Sequence, residues 1–440
     1  MSNSWLPPSE PNVPVDLAPI VLDSTGTGPT YVTPTAKKSH GRLLGALAAG
    51  VLLVGGVGTA LAMRKGASGG GATTPEAAVQ GFFDSVEAGD WLGALEGLPK
   101  GERQLFVQMM ETSLAEGKRL GLTAEGASLR NVSGLKIDFQ NVTLKSSPVN
   151  DRIARVEITG GTMVTDVTVA DLPIGDLLRK VMDKNDVDMS DQHNESTIDD
   201  DDDDVIAAIK DDEGWHLSLM HSIGEAARGN EPMPDSIAAA GADSPAEAVE
   251  QFLRAAVKLD AARAIALIDP EEGLAFHDYG QLAVDAIADL DVRPRDLPKI
   301  DELSLTSTKG PSGTTVTIKK AAISMNLGGD DQQIVIEREG SCTTMTTTFE
   351  GESDTQKVCP DDLKDLTPAD LGPDSDPIEA GFSLLGEFAS RAQSQLADTG
   401  IVTHEVGGKW YIAPGSTIVS LVFRFSAIFE RADLERLLNG

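Results

Sequence analysis

The chain has 440 residues and carries 69 Asp+Glu against 36 Lys+Arg, a formal net charge of −33. So acidic a surface repels phosphate backbones and anionic lipid headgroups, which excludes nucleic acid as a natural partner. Its length leaves room for a tail and two compact domains, each large enough for its own core.

Residues 1–42 hold Pro7, Pro8, Pro11, Pro14, Pro19, Pro29 and Pro34 with few apolar residues between them. Proline removes backbone donors and blocks helix, so this stretch reads as a disordered tail. Its acids (Glu10, Asp16, Asp23) balance its bases (Lys37, Lys38, Arg42), so the whole charge excess lies further along. Trp5-Leu6-Pro7-Pro8 is a candidate docking peptide, and Thr25, Thr27, Thr30, Thr33 and Thr35 are candidate phosphorylation sites. A solvated leader with no partner is the plainer reading.

Residues 43–63, LLGALAAGVLLVGGVGTALAM, contain no charge and are fenced by Arg42 and by Arg64-Lys65. About 20 apolar residues suffice for a helix to cross the hydrocarbon core. Ala60-Leu61-Ala62 has the small-x-small pattern of a cleavage site. The long region before the apolar stretch and the bases right after it nevertheless favour an uncleaved signal anchor in a lipid bilayer. Flanking charge orients it only weakly. Cys342 and Cys359, the two cysteines, break the tie: an even pair without CxxC spacing suggests a disulfide in an oxidising compartment rather than two free thiols or half a metal site. The tail is therefore expected in the cytoplasm and the rest outside. Small residues four apart (Ala46/Gly50, Gly56/Ala60, Gly58/Ala62) permit helix pairing. Residues 64–73 form a Gly-rich linker.

The remaining chain repeats itself. Thr74-Pro75-Glu76-Ala77-Ala78-Val79 opens one unit (74–229), and Ser244-Pro245-Ala246-Glu247-Ala248-Val249 opens a second (244–440), with Asn230–Asp243 between them. Without gaps, Pro75/Pro245, Ala78/Ala248, Val79/Val249, Phe82/Phe252, Asp90/Asp260 and Ala94/Ala264 coincide. Thr74 or Ser244 is a helix N-cap, with proline at the first helical position and, in the second unit, Glu247 completing a capping box. Val79, Phe82, Phe83 and Val86 share one helical face, as do Val249, Phe252, Leu253 and Val257. Turns at Gly89-Asp90 and Leu259-Asp260 lead to a short second helix. A third follows (Arg103–Leu120; Leu274–Leu290). The β-rich runs are Leu135–Leu144, Ile153–Ile158 and Met163–Val169 in the first unit. In the second they are Leu303–Thr306, Thr314–Ser324 and Ile334–Arg338, then a cysteine hairpin. Each unit closes on a tryptophan after glycine, at Gly214-Trp215 and Gly408-Lys409-Trp410-Tyr411.

Helices followed by antiparallel strands make an α+β order. The T/S-P-x-x-A-V-x-x-F opening, the turn at Asp90 or Asp260 and the closing G-x-W or G-K-W-Y strand resemble the NTF2-like extracytoplasmic domains. These occur in membrane-anchored proteins and lipoproteins of high-G+C Gram-positive bacteria. The resemblance covers Thr74–Gly229 and Ser244–Ile412. It implies two tandem domains, each a curved sheet wrapped around helices into a cone with a pocket. Both depart from a minimal domain: the first by an acidic insertion, the second by a long helical segment (Asp376–Asp398).

Candidate chemistry is sparse. Asp199, Asp200, Asp201, Asp202, Asp203 and Asp204 run consecutively, with Asp186, Asp188, Asp191 and Glu195 upstream. Carboxylates collect Ca²⁺, but the EF-hand glycine and closing glutamate are missing, and a contiguous run prefers to stay extended and hydrated. A solvated insertion is expected, and no metal site is assigned. His40, His193, His216, His221, His277 and His404 form no ligand spacing. His216 and His221 flank a strand-to-helix change and read as structural. No nucleophile elbow, P-loop or dinucleotide fingerprint is present, and no cofactor is implied. Asp138, in Ile137-Asp138-Phe139, is the nearest approach to a strand carboxylate for proton-transfer chemistry and reads as a surface residue. A C-terminal helix is expected over Thr417–Leu438. Its apolar face is Ile418, Leu421, Val422, Phe425, Ile428 and Phe429, with Val419 and Phe423 off it, packed between units or against another subunit.

These features point to a non-enzymatic envelope protein that binds a ligand or protein partner, or scaffolds a complex. A coupler reporting outer binding to the tail and a pocket-carboxylate enzyme are the alternatives.

Overall fold

The computed structural model describes residues 71–439 apart from 186, 188, 199–204, 291, 294–296, 328–329, 360–361, 363–386 and 396–398. The tail, the apolar stretch 43–63 with its flanks Lys37, Lys38, Arg42, Arg64 and Lys65, and the run Asp199–Asp204 lie outside the described residues. Among the described residues no helix is long and apolar enough to cross a membrane.

The first repeat starts at a cap. The Thr74 hydroxyl accepts the Ala77 N–H, Pro75 occupies the first turn, and α1 runs Pro75–Glu87. Asp90 caps α2 (Trp91–Glu96) by accepting the Gly93 N–H at 2.8 Å. Then α3 spans Lys100–Leu120 and ends on Gly121 in the left-handed region. The strands are β1 (Leu135–Pro148), β2 (Ile153–Val167), β3 (Gln192–Ile198), β4 (Val205–Asp211) and β5 (Gly214–Ser218), with α4 (Asp176–Lys184) before β3 and α5 (Leu219–Arg228) after β5.

The second repeat follows the same plan. Ser244 caps α6 (Pro245–Val257) through the Glu247 N–H, and Asp260 caps α7 (Ala261–Ala266); α8 is Leu274–Ala288. The residue before each aspartate has positive φ, Gly89 at 67° and Leu259 at 56°. Strands β6 (Lys299–Gly310), β7 (Gly313–Leu327), β8 (Asp330–Glu339), β9 (Cys342–Phe349), β10 (Glu352–Val358), β11 (Ile401–Val406) and β12 (Lys409–Ile412) precede α9 (Pro414–Ser426) and α10 (Arg431–Asn439).

The pairing shows the duplication more strongly than the sequence does. In the first sheet β2 takes β1 along one edge; on the other edge β4 pairs with residues 153–157 and β3 with 161–167, and β5 lies beyond β4. In the second, β7 takes β6 on one edge; on the other β11 pairs with 314–316 and β8 with 320–327, and β12 lies beyond β11. A bulge sits on the long inner strand in both, at Thr159 and at Lys319, and bulges add the twist that curls a sheet. The chain entering each repeat bridges the tryptophan: Ala72 to Trp215 and Ala242 to Trp410. Both repeats are also extended at the same place, between the two strands that share one lane. There the first inserts the six aspartates, and the second inserts the β9–β10 hairpin, closed by the Cys342–Cys359 disulfide, and the chain up to residue 400.

Several sequence expectations change. The runs Ile153–Ile158 and Met163–Val169 are one strand, because Gly160 and Gly161 (φ 144°) let the chain bend without breaking the ladder. Polar β3 flanks the aspartate run as a genuine strand, since its backbone pairs with β2 whatever its side chains. Of the expected helix Asp376–Asp398, residues 387–395 are described and are helical. The helix expected over Thr417–Leu438 is two: it stops after Ser426 and restarts where the Asp433 carboxylate accepts the Glu430 N–H. Its packing face is only partly the expected one: Ile428, on that face, is buried, whereas Phe423, off it, is exposed. Val419 is buried and Gly415 lies against Leu105 of α3, while Ile418, Leu421, Val422 and Phe425 are exposed. Arg119 of α3 clamps this end by donating to the Ser426 and Phe429 carbonyls, each at 2.9 Å.

The first core is filled by Val79, Phe82, Phe83, Val86, Trp91 and Leu98, with Phe83 stacked on Phe139 at 4.2 Å between centroids. The second is thinner: Ala248, Val249, Leu267, Val316 and Ile412 are buried, whereas Phe252 and Leu253 are only partly so.

Candidate functional site

Three arrangements hold the chemistry of the described residues. The first is a joint between the repeats. Glu102, in the opening turn of α3, reaches the N-terminus of α5, where a helix leaves donors unpaired and favours a carboxylate. It accepts the Leu219 N–H at 2.8 Å and the Ser218 hydroxyl. Because that hydroxyl donates to Glu102, its oxygen accepts from His221 Nδ1 at 2.8 Å. His221 Nε2 then donates to Asp278 of α8 at 3.0 Å, so both ring nitrogens carry protons. Burial alone would lower the imidazole; the hydrogen bond to Asp278 and the Glu102 carboxylate 3.9 Å from Nδ1 outweigh it and hold the group above its ordinary value. Asp278 is raised by burial and lowered further by His221 and Arg152, and lies below the usual carboxylate range. Next to this, Glu225 accepts from Tyr279 Oη at 2.7 Å and from Arg155 and Arg228.

Ser218, His221 and Asp278 match the residue types of a hydrolytic triad. Ser218 is 0% exposed, and its oxygen is already engaged as the cap of α5. The arrangement therefore acts as a fully paired polar weld. His216 is likewise buried, bonded to Asp211 and to the Gly97 carbonyl. His193 pairs with Asp166 on the surface, and His277 bridges the Ile237 and Ile268 carbonyls. Asp138 is half-buried and pairs with Lys136 at 2.6 Å.

The second arrangement is Asp269, Glu272 and His404. It is the one cluster of three acid or histidine ligand atoms found among the described residues, all within 4.8 Å of one another. Glu272 accepts the Ser416 N–H at 2.9 Å and its hydroxyl at 3.0 Å, capping α9. Burial holds the Glu272 carboxyl above its ordinary range. Glu102 and Glu272 stand 170 residues apart, the spacing of Pro75 and Pro245, and do the same work in the two repeats. Running the gapless overlay eight residues past Ala94/Ala264 would have found this pair; reading the motifs alone missed it. The spacing of the histidines gave no sign of His404 meeting Asp269, since 135 residues separate them.

The third is a cavity of about 1090 Å³ between the C-terminal end of α6 and the second sheet, lined by apolar Val257, Leu297, Pro298, Ile300 and Met325, by basic Arg254, Lys258 and Lys299, and on the sheet side by polar groups that include Gln332, Gln333 and the acid Asp331. At the matching end of α1 the first repeat has about 330 Å³. Register explains the difference. Phe139 stands opposite Met163 in the first ladder, and Ile300 opposite Ile323 in the second. Ile300 lines the cavity at the place of Phe139, and Leu253, at the place of Phe83, packs into the second core without an aromatic partner. Arg254 is paired with Glu250 at 2.9 Å, and Lys299 with Asp301 at 3.5 Å; Lys258 has no ion-pair partner among the described residues.

Compared with protein-family models, curated proteins and solved structures, the chain matches none.

Proposed function

We propose that this is a single-pass membrane-anchored protein of the cell envelope, whose two extracytoplasmic repeats are NTF2-like domains forming a non-enzymatic binding module. Its ligand seat is the open cone of the second repeat. The observation that carries the reading is the contrast between the copies. One fold appears twice, filled by aromatic stacking in the first repeat and left with about 1090 Å³ in the second. The apolar part of the lining and the exposed Lys258, with the polar Gln332 and Gln333 on the sheet side, suit a small amphipathic ligand with an anionic end. The apolar stretch 43–63 and the disulfide support placement outside a membrane. The exposed apolar side of α9 (Ile418, Leu421, Val422, Phe425) supports a protein-docking role beside ligand binding.

The test uses a dansylated fatty acid titrated into the full chain in detergent. Saturable binding is expected, lost in Leu253→Phe/Ile300→Phe, which copies the first repeat's stack, with folding intact by circular dichroism. Binding that survives this filling, or no saturable binding, overturns the seat. Separately, a membrane-impermeant thiol reagent on intact cells should label Cys342 and Cys359 only after reduction. Labelling that requires lysis but no reduction overturns the placement.

A further inference from the structure

We propose that Asp269, Glu272 and His404 form a binding site for one divalent transition cation of the Zn²⁺ class. The geometry assigns the ligand atoms. His404 Nε2 lies 3.0 Å from the Ser312 carbonyl, which can only accept, so Nε2 carries a proton and Nδ1 is the ring nitrogen turned toward the acids. That nitrogen faces two carboxylate oxygens, Asp269 Oδ2 at 2.6 Å and Glu272 Oε2 at 3.9 Å. A proton on Nδ1 joins the ring to Asp269, and a bound cation would take that proton's place. A tetrahedral Zn²⁺ ion about 2.0–2.2 Å from each would hold the ligand atoms about 3.4 Å apart, so the Asp269 contact would open by about 0.8 Å and the Glu272 contact close by about 0.5 Å.

The supporting shell is already built. A metal-bound histidine usually donates its second N–H to a backbone carbonyl, and ligating carboxylates are themselves hydrogen-bonded. Here Asp269 Oδ1 accepts the Glu271 N–H at 2.7 Å, and Glu272 is held by Ser416. The ring is 29% exposed, which gives an ion a way in and leaves room for a water as fourth ligand. The other repeat shows that capping does not need the extra groups. At the positions of Asp269 and His404 it has Pro99 (170 residues earlier, like Pro75 to Pro245) and Ile209 (opposite His216, as His404 is opposite Tyr411). Glu102 caps α5 without them. One nitrogen and two oxygens select a borderline cation over Ca²⁺, which takes six to eight oxygens.

The test titrates Co²⁺ into the full chain in detergent with excess Mg²⁺ and Ca²⁺ to occupy oxygen-only sites such as Asp199–Asp204. One Co²⁺ per chain is expected, with visible bands of nitrogen–oxygen ligation that Zn²⁺ abolishes stoichiometrically. The bands should vanish in His404→Gln and in Asp269→Asn, each checked for folding by circular dichroism. Ser416→Ala should weaken binding about tenfold or more. A chain with Asp199–Asp204 changed to Asn should keep the bands. Absence of saturable Co²⁺ binding, or bands unchanged in a folded His404→Gln chain, overturns the site.

Discussion

The joint between the repeats can be measured through His221 and Asp278. Their 3.0 Å contact joins α5 of one repeat to α8 of the other, with the ring 1% exposed. At an effective dielectric of about 20, two unit charges at this distance attract by about 5.5 kcal/mol before desolvation is subtracted. Replacing one partner leaves the other buried and uncompensated, so His221→Ala and Asp278→Ala should each cost about 3–5 kcal/mol. Arg152, 2.8 Å from Asp278, should put His221→Ala toward the lower end. Removing both avoids the orphaned charge, so the double variant should cost less than the sum, with a coupling of about 2 kcal/mol. Urea denaturation of the full chain in detergent, followed by tryptophan fluorescence, measures all three. The coupling also has a signed pH dependence. His221 titrates above its ordinary 6.5, so its contribution is complete below 6.5 and fades as pH rises through the raised value. Asp278 titrates below its ordinary 3.8, so its contribution is complete above 3.8 and is lost as pH falls through the lowered value. Stability relative to the double variant should therefore be greatest between these limits. Single variants that add within about 0.5 kcal/mol, or an advantage that grows from pH 6.5 to 9, would refute the reasoning.

Two further outcomes follow from the same packing. A Cβ at Gly101 would lie 1.9 Å from the Glu271 carbonyl, and one at Gly224 would lie 2.3 Å from the Tyr279 ring, both across the joint. Gly101→Ala and Gly224→Ala should each destabilise by about 1–3 kcal/mol, while Gly81→Ala, in a helix facing open space, should stabilise by about 0.5–1 kcal/mol; denaturation curves that rank them otherwise contradict the docking. Cys342→Ser/Cys359→Ser opens a loop spanning 17 residues, worth about 3 kcal/mol by chain entropy. Hydrogen exchange should then speed up across β9 and β10 and stay slow in the β6–β7 ladder. Uniform acceleration would mean that the hairpin supports the whole second repeat.

Local chemistry was legible in the sequence because it depends on neighbours in the chain. Thr74-Pro75 and Ser244-Pro245 start helices by capping, Asp90 and Asp260 start the next, and the α+β order follows from where helical period gives way to alternation. The cysteine pair was legible for the same reason, since its two residues close one hairpin. What the tertiary structure decided involves partners far apart in the chain. The C-terminal helix has apolar residues on most sides, so its pattern did not say which side would meet α3, and the packing chose Val419 over the wider stripe. Polar β3 carried no hydrophobic signal because its place is set by backbone pairing. His221 and His404 each acquire their chemistry from an acid brought in by another element, Asp278 across the joint and Asp269 across the second repeat. The open cone came from the register that sets Ile300 where the other copy has Phe139. The periodicity of either strand alone holds no information about that volume, because a cavity is a property of what several elements together fail to fill.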